Sequence, residues 1–163
     1  MGFHTRNVPG GNQANRPPLL AAFLGIVALA ALAFFGVRAL TGEPAPEEVV
    51  EAFRDAGAEV GASYPVEQDP DFMESPTPRT YEEGTRFEIP SLGKDAGGRV
   101  FSYESQEDLQ VMRNYYEKLE ETPLLGPALR SHLYQDGLLL VQINGDLPKT
   151  QADRYGEILE EEV

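Results

Sequence analysis

Nineteen consecutive residues, Leu19 to Val37 (LLAAFLGIVALAALAFFGV), carry no charged or hydrogen-bonding side chain. As an α-helix such a run extends about 28 Å, close to the ~30 Å hydrocarbon core of a bilayer. A helix in the core of a soluble domain shows polar residues at every third or fourth position, and this one shows none. Pro17 and Pro18 stand where a helix tolerates proline, in its first turn, and Arg38 can snorkel to the interface at the far end. The sequence therefore predicts a transmembrane helix over residues 18–40. A basic tail, 1–17, precedes it; a short linker, 41–46, and a distal domain, 47–163, follow.

The flanks set the direction. The tail carries Arg6, Arg16 and no acid, so the positive-inside rule keeps it cytoplasmic. The chain is then a single-pass protein of the cell membrane with a periplasmic or extracellular C-terminal domain. The rival reading is a cleaved signal peptide, with Val37-Arg38-Ala39 as a small-residue cleavage site. Signal-peptide apolar regions run about 7–15 residues, and this one is longer, which favours an uncleaved anchor.

The net charge of −14 is unevenly spread: all 27 acidic residues lie at or beyond Glu43, with only 10 of the 13 basic ones, so the distal part is at −17. Such a surface repels phosphate backbones and anionic headgroups, which argues against nucleic-acid and peripheral lipid binding. There is no cysteine, hence no disulfide, thiolate chemistry or Cys-based metal site.

Within the distal domain the pattern predicts α-β-β-β-α-β-β-α, an α+β fold with helices packed on one face of a mostly antiparallel sheet. A helix over Pro46–Ala56 presents Val49, Val50 and Phe53. A strand follows near Glu59–Tyr64, and Pro65–Glu83, rich in proline and acids, reads as an irregular loop. Alternation in Thr85–Ile89 turns Phe87 and Ile89 inward, and Arg99–Tyr103 is a further strand. Ser105 and Asp108 resemble a capping box opening a helix with Leu109, Met112, Tyr116 and Leu119 on one stripe, stopped by Thr122-Pro123. Leu133–Asn144 reads as a hairpin turning at Asp136-Gly137, whose second strand is apolar on both faces and so belongs inside the sheet. Asp146 is the expected N-cap of a last helix buried through Ala152, Tyr155 and Leu159.

Three stretches carry a resemblance: Val49-Val50-Glu51-Ala52-Phe53; the run from Glu83 to Ser102 (EGTRFEIPSLGKDAGGRVFS); and Val141 to Pro148 (VQINGDLP). Together they resemble a family of small, uncharacterised bacterial proteins that are membrane-anchored or exported. The resemblance spans most of Glu47–Leu159 and implies a location; it implies no activity, ligand or catalytic residue.

Ser91-Leu-Gly-Lys94 matches the S-x-x-K pattern in which a lysine activates a serine, but Asp95-Ala-Gly-Gly breaks any helix there and the S-D-N and K-T-G partners are missing. The Gly93–Gly98 loop lacks the order of a phosphate-binding loop, so its glycines are expected to serve turn geometry, with Gly97 at positive φ. Asp69, Asp71 and Glu74 offer a weak Ca²⁺ alternative that Pro70 and a missing loop glycine undercut. His132 is the domain's single histidine, too few for a zinc site or a Ser-His-Asp set. The expectation is a non-catalytic interaction or accessory module of the cell envelope, without cofactor or metal, facing an envelope protein partner. The alternative is a small envelope hydrolase using carboxylates or Ser91 and Lys94.

Overall fold

Pro46 at the first helical position and the Glu48 carboxylate, which accepts the Ala45 N–H at 2.8 Å, start helix α1 (Pro46–Asp55). The structure, a computed structural model, describes residues 1–2, 42–93, 96–121 and 130–163. The expected transmembrane span, the tail beyond its first two residues, Lys94 and the Thr122-Pro123 stop lie outside the described residues. Among the described residues no helix is long and apolar enough to cross a membrane. Gly42–Val163 forms one compact unit. Glu43, read as linker, is already part of it: its Oε1 accepts the Leu138 N–H.

Among the described residues five strands follow: β1 (Ser63–Pro65), β2 (Glu83–Glu88), β3 (Gly97–Ser102), β4 (Ser131–Asp136) and β5 (Leu139–Asn144). They form one sheet in the order β1-β2-β3-β5-β4, with every neighbouring pair antiparallel. β5 lies inside the sheet, between β3 and β4, as its two apolar faces require. Gly137 turns the β4–β5 hairpin at φ +50°.

Period-two alternation then sorts the side chains. On the first face Phe87, Ile89, Val100, Leu139, Val141 and Ile143 meet Val49, Val50 and Phe53 of α1. They also meet Ala152, Tyr155, Ile158 and Leu159 of the last helix, α4 (Lys149–Glu162). Each fully buried valine, leucine, isoleucine or phenylalanine among these stabilises the fold by about 1.5–3 kcal/mol. On the second face Phe101 and Leu140 pack with Tyr103 beneath Leu109, Met112 and Tyr116 of α3 (Gln106–Glu120) and Phe72 of a short α2 (Pro70–Glu74).

Helices therefore cover both faces, which corrects the expected one-sided packing. The cause is visible along β3 and β5, where Phe101, Tyr103 and Leu140 stand between first-face positions, are themselves apolar and need a second cover. Two local expectations change as well. Pro65–Glu83 is not an irregular loop throughout: it holds the end of β1, a 3-10 turn over Val66–Gln68 and α2, with Val66 and Phe72 buried. The last helix is capped by Pro148 and not by Asp146, whose N–H instead donates to Asn144 Oδ1 at 2.8 Å. By contrast Ser105 caps α3 as expected, accepting the Asp108 N–H and donating to the Asp108 carboxylate.

Candidate functional site

The second face is apolar only where α3 lies over it. Towards its other end the register brings Arg86 of β2 opposite Arg99 of β3, and Arg99 opposite Gln142 of β5. Two like charges directly across a strand pair repel. Asp69, the N-cap of α2, lies against both: its Oδ2 accepts from Arg86 Nη1 at 2.9 Å, Arg99 Nε at 3.1 Å and Arg99 Nη2 at 2.6 Å. Its Oδ1 accepts the Phe72 N–H at 3.3 Å, so one carboxylate both starts a helix and ties two strands. Asp69 and Arg86 are 2% and 4% exposed. Burial pushes the Asp69 carboxyl up, but the Arg99 and Arg86 guanidiniums and the Phe72 N–H outweigh it and hold it below the usual carboxylate range.

The network continues across the sheet. Arg99 Nη1 donates to Gln142 Oε1 at 3.1 Å, and Gln142 Nε2 donates to Ser131 Oγ of β4 at 2.9 Å. The Arg99 guanidinium also stacks over the Phe72 ring, 5.3 Å from its centroid. In front of these groups is a cavity of about 270 Å³ lined by Arg86, Arg99, Arg130, Gln142 and Asn144, among others, with the Tyr116 ring from α3 as an apolar wall. Burial pushes the Tyr116 phenol up to about 12, so it stays protonated near neutrality.

The cavity offers hydrogen-bond donors on fixed supports. Among the described residues it offers no nucleophile beside a general base: Ser131 Oγ accepts from the Gln142 amide, and His132 is on the first face, its Nε2–H donating to Leu147 O at 2.9 Å. Ser91 sits elsewhere, exposed on a 3-10 turn (Pro90–Leu92), with its N–H donating to Glu59 Oε1 at 2.6 Å. That turn ends at Gly93, whose φ of +88° stops any helix that would present Ser91 to a lysine. Asp69 is taken up by the two guanidiniums, which deprives the Ca²⁺ alternative of its first ligand, while Asp71 and Glu74 face solvent. Gly97 is not among the positive-φ glycines. It is needed because a Cβ there would run into the Phe87 carbonyl.

The Asp69–Arg86–Arg99 cluster escapes a sequence reading that covers one face only, because the alternation then assigns Arg86 and Arg99 to solvent. The available signal was Phe101 and Tyr103, apolar positions in phase with Arg99 on the same strand.

Fold and cavity together define an α+β domain with a five-stranded antiparallel sheet and a polar cavity on one face. No protein-family model matches the chain, and no curated protein or solved structure matches it either.

Proposed function

We propose that the chain is a single-pass membrane protein, N-terminus cytoplasmic, whose acidic domain acts outside the cytoplasm as a non-catalytic interaction or accessory module of the cell envelope. The observation that carries the non-catalytic part is the cavity itself: its Arg99, Gln142 and Ser131 side chains are held by an ion pair and hydrogen bonds, and among the described residues none is placed as a nucleophile next to a base. The uncharged run Leu19–Val37 supports the anchor, and the absence of any acid before Glu43 supports its direction. The resemblance to anchored or exported bacterial proteins favours the same location. A hydrolase built on Ser91 and Lys94 has no such support, since Ser91 lies on a turn away from the cavity.

Two measurements test this reading. Protease added to spheroplasts should degrade the domain after Glu43 and spare the tail; a protected domain would overturn the orientation. Gentle solubilisation followed by affinity purification and mass spectrometry should recover an envelope protein with the chain. Recovery of the chain alone would overturn the accessory role.

A further inference from the structure

The domain outside the apolar run carries 27 acids and 10 bases, yet three of those 10 bases, Arg86, Arg99 and Arg130, line one cavity of about 270 Å³. Among the described residues of its wall the single carboxylate is Asp71, which is exposed. Asp69 lies behind, bonded to Arg86 and Arg99. A concentration of positive charge inside so acidic a body runs against the sign of the whole field, and its simplest chemical meaning is a guest of negative charge. We propose that this cavity binds a small oxyanion, a carboxylate or a phosphate carried on few other atoms.

The wall is prepared for such a guest. Asp69, Gln142 and the Phe72 ring hold the Arg99 guanidinium in place, so no rotamer freedom is lost on binding. Those bonds use only part of its donor set, which leaves N–H groups to spare. Ser131 Oγ accepts from Gln142, so its own O–H is the donor that remains. Arg130 makes no ion pair among the described residues. Its backbone is nonetheless pinned, because its carbonyl accepts the Gly145 N–H at 2.8 Å and a Cβ on Gly145 would come within 2.5 Å of that oxygen. The lack of a side chain at Gly145 thus lets the turn after β5 approach closely enough to hold Arg130 beside the cavity.

Guanidinium groups match the planar, two-oxygen face of a carboxylate or phosphate better than any other side chain. The volume lies below the range of about 300–1,000 Å³ of drug-sized pockets, which limits the guest to a small ion. The acidic surface explains the same limit from outside: a long polyanion would have to lie across it, whereas a small anion need only pass it. The proposal goes beyond the anchored-module reading and does not need it, because every described lining residue of the cavity belongs to the domain, whatever holds the domain in place.

The test uses the full chain in detergent, with sodium succinate and inorganic phosphate as probes, each at about 10 mM against sodium chloride of equal ionic strength. At least one probe should raise the unfolding temperature by several degrees over chloride. Whichever of the two does so with the lower Kd identifies the head group. Arg130→Gln should leave the unliganded unfolding temperature unchanged, since the residue is exposed, and should weaken the probe's Kd by about tenfold or more. Arg113→Gln, which makes the same charge change on α3 where Arg113 pairs with Glu117, should leave Kd within about twofold. The proposal is overturned if neither probe stabilises beyond chloride, if Arg130→Gln binds as tightly as the parent, or if Arg113→Gln weakens binding equally. Failure to recover a protein partner from the envelope would leave these three outcomes untouched.

Discussion

Asp69→Asn removes one negative charge from the second face and almost nothing else. Asparagine has the same shape and remains a good N-cap for α2, so the helix start survives. What goes is the carboxylate that Arg86 Nη1 and Arg99 Nη2 reach at 2.9 and 2.6 Å, and with it the charge that separates two guanidiniums in register across β2 and β3. The Asp69 and Arg86 side chains are 3% and 5% exposed, so solvent screens little of this. Removing one partner of a buried pair costs about 3–5 kcal/mol, out of a total stability of about 5–15. With an unfolding entropy of ~2.1 cal/mol/K per residue over roughly 120 residues, the unfolding temperature should fall by about 12–20 °C. Asp69→Ala should fall about 1 kcal/mol further, through the lost cap. The pH dependence has a definite sign. Because the folded-state pKa lies below the unfolded one, the pair's stabilisation is complete above the ordinary aspartate value near ~3.9 and is lost as pH falls through the folded value. Asp69→Asn should therefore flatten the acid limb of stability in that window. Circular dichroism melts of parent and variant from neutral to acid pH measure both effects. A change under about 2 °C at neutral pH, against the shift expected above, would falsify the claim that Asp69 holds the two strands together.

Val141→Asp should abolish the cooperative melt, because Val141 is 0% exposed inside β5 and an isolated carboxylate there meets a desolvation penalty of several kcal/mol. Ser105→Ala should cost about 1 kcal/mol in a denaturant titration, the usual value of a lost serine cap. Gly97→Val should unfold the domain through collision with the Phe87 carbonyl, while exposed Ser91→Ala should melt like the parent and keep whatever cellular phenotype the gene has. A stable Ser91→Ala protein that has lost that phenotype would instead revive the hydrolase.

What the sequence made legible was whatever depends on one element and its period. The stripes Val49-Val50-Phe53 and Leu109-Met112-Tyr116 are buried as helical spacing requires, and so are the alternating Phe87 and Ile89. The Asp136-Gly137 turn and the Ser105 cap follow from residue chemistry that acts over a few positions. What was not legible depends on which elements cover which face. With helices assigned to one face, the alternation turns Arg86 and Arg99 to solvent and leaves Tyr103 partly exposed, whereas Tyr103 is 2% exposed. Asp69 is hidden for another reason. Its neighbours Pro70, Asp71 and Glu74 have the composition of a solvated loop, and only the buried Val66 and Phe72 on either side anchor the segment under the sheet.

The two halves of the second face pose a question of economy. Under α3 the face is filled by Phe101, Leu140 and Tyr103, whose apolar burial stabilises even though the Tyr103 hydroxyl is buried without a partner among the described residues. A few residues along the same strands, Arg86, Arg99 and Gln142 take the equivalent positions and are held by a buried aspartate. Buried ion clusters of this kind are poor devices for stability, since well-packed apolar residues of similar volume often do as well or better. A strand face that needed only a cover would carry valine or leucine at both ends. The polar end instead spends desolvation energy to fix guanidinium and amide groups along a small cavity, with Arg130 beside it on a backbone that Gly145 pins. Fixed donors along a cavity are the arrangement expected where recognition, and not packing, determines which residues stand there. Replacing Arg86, Arg99 and Asp69 together by Met, Leu and Val should therefore cost no more than the lost cap of α2, about 1 kcal/mol, while removing anion-dependent stabilisation. A triple variant that unfolds would show that the cluster is needed for the fold itself.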